Sequence, residues 1–247
     1  MAVAFDAVQA NKTFSGVTSK TWNHTVGGSG YYVRISVGWE YVHGLDANNT
    51  ASCTYAGANA PSVGVSARHG TGDGATYYAD AQIFEQINPA TGSQAIVISF
   101  TGGDAVNYGC ACSVSYSGVD QTTASGTAVT SNGSGTSITD NVTSNSGDMI
   151  SDAIFSYGNT TATTNTAAFT SRSDSYGFTS GSKHYYFGSA QDTTNSGTVA
   201  MAWTLPATAA WAHVAAQIIA AAGAATRPVK MAGVWNGYAG VGGGFAG

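Results

Sequence analysis

The chain has 247 residues, a formal net charge of −5, 43% hydrophobic residues and only 9% charged residues. Its eight Lys and Arg residues are scattered along the sequence. Phosphate recognition needs clusters of basic side chains, so nucleic acid is not expected as a partner. The most apolar stretch, 210–225, is rich in Ala and shorter than the roughly 20 strongly apolar residues that a spanning helix requires. No membrane segment is therefore expected.

The N-terminal stretch "MAVAFDAVQANKTF" lacks a basic region followed by an uninterrupted apolar run. No secretory signal peptide is predicted on that basis. Small neutral residues dominate the rest of the chain, with 33 Gly and many Ser, Thr, Ala and Asn. Average globular domains have about 25% charged residues. The composition is more typical of extracellular or virion proteins than of cytosolic enzymes.

Strict alternation begins at "YYVRISVGWEY", residues 31–41. One face carries Tyr31, Val33, Ile35, Val37, Trp39 and Tyr41, and the other carries Arg34, Ser36, Gly38 and Glu40. A repeat of two residues with apolar and polar faces predicts a strand that is buried on one side only.

The same period recurs in "AIVISF", "CACSVSY" and "VAMAWTL". The residues predicted to face inward are Ile96, Ile98, Phe100, Cys110, Cys112, Val114, Tyr116, Val199, Met201, Trp203 and Leu205. Turn clusters rich in Gly, Asn and Asp separate these segments. Many short strands with such turns predict an all-β antiparallel sandwich of jelly-roll-like type. We expect one domain over 1–222 and a Gly-rich C-terminal arm over 223–247.

Three features could carry chemistry. Asp120, in "SYSGVDQTT", is expected to accept backbone N–H groups in a turn, because no partner carboxylate or His lies nearby in sequence. His69 and Asp73 fall in one glycine-rich loop, which is predicted to be a solvated hairpin rather than half of a site. Neither feature predicts catalysis.

The third feature is the set of three cysteines, Cys53, Cys110 and Cys112. The C-x-C pair places two thiols on one face of a strand, where they are poorly set to bridge each other. A disulfide from Cys53 to either of the other two stays open. No further Cys or paired His completes a zinc site. We expect small buried hydrophobic side chains and no metal or cofactor.

Several motifs occur in a familiar order: the turn "NPATG" at 88–92, "SGVDQT" at 117–122 and "WAHVA" at 211–215. In these motifs the chain resembles a family of β-sandwich domains found in phage virion proteins and in bacterial surface or secreted proteins. The likeness extends to about residue 220. It implies that 211–219, which helix propensity would favour as a helix, is the closing strand. The family has no shared catalytic set, so the resemblance implies no enzyme.

The expected function is therefore structural: a decoration, fibre or tail-surface protein of a phage-like virion that assembles with itself or with other virion proteins. The alternative is an extracellular or cell-surface module for carbohydrate binding or adhesion, because "YY" pairs at 31–32, 77–78 and 185–186 would turn one ring outward in a strand. Candidate interaction residues in the C-terminal arm are Trp235, Tyr238 and Phe245. The arm is expected to add to a neighbouring subunit or to fold back on its own sandwich.

Overall fold

The computed structural model describes residues 1–42, 50–69, 77–101, 105–157, 164–165, 169–180, 183–193 and 196–222. The fold consists of strands: β1 (Ala4–Phe14), β2 (Ser19–Val26), β3 (Tyr32–Val42), β4 (Ala51–Tyr55), β5 (Ala58–Ala60), β6 (Ser62–His69), β7 (Tyr77–Ile87), β8 (Gly92–Phe100), β9 (Tyr108–Ser117), β10 (Val129–Ser144), β11 (Met149–Tyr157), β12 (Thr164–Asn165), β13 (Thr170–Ser180), β14 (Lys183–Thr193) and β15 (Gly197–Ile218). Within these ranges no helix is long and apolar enough to cross a membrane.

The strands form three antiparallel sheets. The central sheet has the order β1-β9-β3-β7-β6, a second sheet has the order β2-β8-β4-β5, and a third has the order β10-β15-β11-β14-β13, with β12 paired to β15. This confirms the predicted all-β, sandwich-like arrangement of antiparallel sheets. The finer prediction of a jelly-roll order is not shown by these sheet orders.

The middle strands of the central sheet are covered on both faces. Val33, Ile35 and Val37 of β3 pack with residues of β2, β4 and β8. On the other face, Cys110 and Cys112 of β9 pack with residues of β11, β14 and β15. A sheet covered on both sides cannot expose alternate residues to water.

The prediction that 31–41 is half-buried is therefore wrong. The face expected to be exposed is also buried, with Arg34 and Ser36 at 1% exposure and Glu40 at 0%. Sequence alternation marks two chemically different faces, but it does not say that the polar face meets water.

Arg34 shows how a charged side chain fits inside this fold. Its Nη2 atom donates to Ser125 Oγ at 3.1 Å and to the Gln217 carbonyl at 3.2 Å. Ser125 in turn donates to Glu85 at 2.5 Å, and the Tyr32 hydroxyl donates to the same carboxylate at 3.0 Å. These bonds tie the central sheet to the end of β15.

The long strands β10 and β15 form a ribbon that folds back over the third sheet. Ser131 Oγ donates to Asp140 Oδ2 at 2.8 Å although nine residues separate them, a span of about 30 Å in a straight strand. The register shifts between Gly135 and Ser137, and Gly135 has φ 154. Pro206 lies in the part of β15 opposite this shift. The ribbon bends there, and its folded part forms a further layer on top of the third sheet.

The interface under the folded ribbon is apolar. From the ribbon it receives Ile138, Val142, Val199, Met201, Trp203 and Leu205, and from the sheet below it receives Ile150, Ile154, Tyr186 and Ala215. This confirms that Trp203 and its neighbours in "VAMAWTL" are core residues. The two strands predicted from "VAMAWTL" and from 211–219 are segments of one 22-residue strand, β15.

Two predicted turns are confirmed. The "NPATG" turn has positive φ at Asn88 (φ 48) and Gly92 (φ 79), the left-handed region that these residue types tolerate best. Gly118 also has positive φ (72), and a Cβ there would lie 2.3 Å from the Ala2 carbonyl oxygen. Only glycine fits at the end of β9 without a shift of the first residues of the chain.

The cysteines are free, buried thiols. Cys53 lies between the central and second sheets, whereas Cys110 and Cys112 lie between the central and third sheets. The central sheet separates them, which closes the question of a disulfide from Cys53. Burial raises the pKa of Cys53 to about 12 and that of Cys112 to about 11, the latter against hydrogen bonds from neighbouring serines.

We predict that Cys110→Ser lowers the free energy of unfolding by about 1–3 kcal/mol, because a buried hydroxyl replaces a weakly polar thiol. Cys112→Ser is expected to fall in the same range, since the hydroxyls of Ser36, Ser173 and Ser189 already interact with that thiol. Urea unfolding of both variants and of the wild type measures these losses. A loss well above this range at either site would contradict the argument, and a metal bound stoichiometrically to the wild-type protein would contradict the expectation that the thiols are core side chains.

Candidate functional site

A buried histidine between two carboxylates is the main polar centre under the ribbon. His213 Nδ1 lies 2.7 Å from Asp140 Oδ2, and its Nε2 lies 3.0 Å from Asp152 Oδ2. Trp203 Nε1 donates to Asp152 Oδ2 at 2.7 Å. His213 and Asp152 are fully buried, and Asp140 is 6% exposed. We call His213, Asp140, Asp152 and Trp203 the His213 centre.

The two carboxylates come from different layers. Asp152 lies on β11 in the third sheet and Asp140 on the folded part of β10, so that His213 bridges the ribbon to the sheet below it. Burial by itself lowers the pKa of His213, but the hydrogen bonds and negative charges of both carboxylates outweigh it and raise the pKa to about 9. The pKa of Asp140 is lowered, because its bond to His213 outweighs the effect of burial. The imidazole is thus a buried cation at neutral pH.

This geometry suits a structural role. An imidazolium that donates from both nitrogens has no lone pair left to accept a proton, so it cannot serve as a general base. The "WAHVA" motif puts His213 on the predicted closing strand, but no sequence motif identified its two carboxylate partners. The sequence did contain one signal for Asp140. It lies between Ile138 and Val142 in an alternating strand, at a position that faces inward with them.

A second buried histidine lies against a serine. His24 Nδ1 lies 2.9 Å from Ser113 Oγ, to which Trp22 Nε1 also donates at 3.0 Å. Burial lowers the pKa of His24 to about 4, against the opposing charge of Asp6. Both His24 and Ser113 are fully buried. This pair is a hydrogen-bonded part of the core and offers no nucleophile to a substrate.

Asp120 has the turn role that its sequence predicts. Its Oδ1 accepts from the Thr122 hydroxyl at 2.6 Å and from the backbone N–H groups of Thr122 and Thr123 at 2.8 and 3.0 Å. These bonds lower the pKa of Asp120, and the bond from the Thr122 hydroxyl has the largest effect. The Asp120 carboxylate therefore stabilises this turn by accepting hydrogen bonds from the residues two and three positions after it.

The outer face of the β10–β15 ribbon is exposed and uncharged. From β10 it presents Thr130, Asn132, Ser134, Thr136, Ser137, Thr139, Asn141 and Thr143, and from β15 Thr198, Ala200, Thr204, Pro206, Ala207 and Thr208. The one charged residue of β10, Asp140, points inward to His213. We call this set of outward residues the neutral ribbon face.

The other predicted site residues lie largely outside the described residues. This applies to Trp235, Tyr238 and Phe245 of the C-terminal arm and to Asp73. Of the tyrosine pairs, Tyr32 is fully buried and Tyr31 is partly exposed. Among the described side chains no group of three or more His, Cys, Asp or Glu is placed to hold a metal ion.

Comparison of the chain with protein-family models, with curated proteins and with solved structures gives no match. The chain is an all-β protein with three antiparallel sheets, and no family is identified for it.

Proposed function

We propose that this protein is a structural component of a phage-like virion, a decoration, fibre or tail-surface protein that acts by assembling with its own copies or with a shell. The observation that carries the proposal is the neutral ribbon face. Small hydroxyl and amide groups lose less solvation than charges on burial, and they lose less side-chain entropy than Lys, Arg or Glu. A surface of this kind is suited to contact with another protein subunit.

The low content of charged residues supports the same proposal. Soluble monomers generally rely on many surface charges of both signs, and here only 9% of residues are charged. Of the described Asp, Glu, Lys and Arg residues, Arg34, Glu40, Asp80, Asp140, Asp148 and Asp152 are buried, which removes them from the surface. The "NPATG", "SGVDQT" and "WAHVA" motifs resemble those of phage virion domains. This likeness supports a virus particle as the place where the protein assembles.

Electron microscopy and light scattering of the purified protein test this proposal. We expect concentration-dependent oligomers or regular assemblies, or co-purification with particles. A protein that stays monomeric at high concentration, and that binds to a glycan array, would overturn the proposal in favour of the carbohydrate-binding alternative.

The C-terminal arm provides a further prediction. Residues 233–247 contain seven Gly together with Trp235, Tyr238 and Phe245. Glycine makes such a segment costly to order, and burial of an aromatic ring contributes about 1.5–3 kcal/mol only if a groove receives it. We expect a protein truncated after residue 232 to unfold at nearly the wild-type urea concentration yet fail to form extended assemblies. Normal assembly, or outright unfolding, would contradict an arm that reaches a neighbour.

A further inference from the structure

The segment 137–144 of β10 is an edge that no described strand covers. In the third sheet β10 is the terminal strand, with β15 on its other side. The earlier part of β10 lies against β6, where Ser66 Oγ donates to the Ser131 carbonyl. The segment after the bend runs from Ser137 to Ser144 in unbroken register with β15. This leaves a straight edge of eight residues.

The strands at the other ends of the three sheet orders carry the features that block edge-to-edge pairing. Strands β1, β6 and β13 have register shifts, β5 has three residues, and β2 carries a lysine. Bulges, short length and lysine are the usual protections of a sheet edge. Segment 137–144, "SITDNVTS", has no bulge, no Pro and no Lys or Arg, and its one charge is directed inward to His213.

We propose that segment 137–144 pairs antiparallel with the same segment of a second copy, which joins two third sheets across a two-fold axis. This deepens the proposed function and rests on it, because it names the partner and the contact. An isologous pair requires that a strand be complementary to itself. Facing residues of an antiparallel pair point to the same side of the sheet, so the axis must pass through a residue position rather than between two.

Charge selects the residue on the axis. The two axes that keep most of the straight segment paired pass through Asp140 or Asn141. An axis at Asp140 would set two carboxylates directly opposite each other, which is destabilising. An axis at Asn141 sets the two amides opposite each other and pairs Thr139 with Thr143 on the neutral ribbon face, and Thr–Thr pairs are favourable across strands. The predicted register therefore has Asn141 on the axis.

Crosslinking of variants with one introduced cysteine, made in the full-length protein, tests this register. The native cysteines are buried, with at most 1% exposure, so an introduced outward thiol is the reactive one. Asn141→Cys should form a disulfide-linked dimer under mild oxidation, because facing Cα atoms are about 4.5–5.5 Å apart and a disulfide spans that distance. Thr139→Cys and Thr143→Cys should each crosslink poorly alone, with Cα atoms about 13 Å apart, but should crosslink when mixed.

A charge variant supplies the second measurement. Asn141→Lys sets two ammonium groups opposite each other and should weaken dimerisation at least tenfold in light scattering. The matched control is Thr25→Lys, which places the same charge at an exposed position on the edge strand β2 and should leave dimerisation unchanged. The arm truncation should still form this dimer, because a two-fold contact closes at two copies and extended growth needs a second interface.

The outcomes separate the two proposals. Oligomers that persist in Asn141→Lys, with crosslinking of Asn141→Cys no stronger than that of the flanking variants, would overturn the edge contact and leave the assembly function standing. Loss of the dimer on arm truncation, again without crosslinking at position 141, would instead indicate that residues 233–247 make the dimer contact. A wild-type protein that is monomeric at every concentration and does not co-purify with particles would overturn both, whereas a monomer that co-purifies with particles would overturn the edge contact alone.

Discussion

Replacing His213 by alanine is expected to lower the free energy of unfolding by about 3–5 kcal/mol, the usual cost of removing one partner from a buried ion pair. The loss arises because Asp140 and Asp152 would remain under the ribbon without the cation that both contact at 2.7–3.0 Å. The cavity left by the ring adds to this loss. Urea unfolding at pH 6 measures it.

The pH dependence distinguishes lost charge pairing from lost volume. The pKa of His213 is raised from 6.5 to about 9 in the folded protein. A raised pKa contributes stability that is fully present below pH 6.5 and is lost as the pH rises through 9. For a shift of this size the contribution is about 3 kcal/mol. The wild-type advantage over His213→Ala should therefore shrink by about that amount between pH 6 and pH 10.

Trp203→Phe is the matched control for this centre. It keeps an aromatic ring in the ribbon interface but removes the Nε1 donor to Asp152, and the smaller ring adds a packing loss that does not depend on pH. We expect a loss of about 1.5–3 kcal/mol, typical of a hydrogen bond to a charged group, with most of the pH dependence retained. A His213→Ala variant whose deficit is the same at pH 6 and pH 10 would show that the centre acts through packing alone.

The all-β class, the core positions and the turns were predictable because they depend on local pattern. Alternation placed Ile96, Ile98 and Trp203 inward, and positive-φ residue types marked the turn at 88–92. Each of these signals is contained within a few neighbouring residues. None of them requires knowledge of which layer a strand joins.

The layering was not predictable, because it depends on contacts between distant strands. The alternation of 31–41 is the same whether one face or both faces are covered, and only the packing of the third sheet buries Glu40. The bend that brings Asp140 to Ser131 is signalled by Gly135 and Pro206, but neither residue says what the ribbon folds onto. The His213 centre follows from that bend, so it was missed with it.

Asp80→Asn is expected to stabilise the protein at neutral pH, an unusual direction for a core substitution. Asp80 lies on β7 opposite Trp39 and is 5% exposed. Burial raises its pKa from 3.8 to about 8. At pH 7 the carboxyl is thus protonated in the folded protein and ionised in the unfolded chain, so folding must take up a proton.

The sign of this effect follows from linkage. Between pH 3.8 and 8 the unfolded chain has lost the proton that the folded protein keeps, so the stability of the wild type falls as the pH rises through this window. By pH 7 the titration of Asp80 has lowered the free energy of unfolding of the wild type by about 4 kcal/mol relative to its value at low pH. Asparagine has nearly the same shape and does not titrate. We expect Asp80→Asn to raise the free energy of unfolding by about 2–4 kcal/mol at pH 7 and by little at pH 4.

Urea unfolding at pH 4, 5.5, 7 and 8.5 measures the advantage of Asp80→Asn over the wild type at each pH, so that other titrating groups cancel. The advantage should grow steadily to pH 8 and then level off, because the folded carboxyl also ionises above its raised pKa. Asp120→Asn is the opposite control: the pKa of that exposed carboxylate is lowered by the bonds it accepts, so its replacement should bring no gain at neutral pH. An Asp80→Asn difference that does not vary with pH would mean that Asp80 is ionised in the fold, stabilised by a partner that outweighs the cost of its burial.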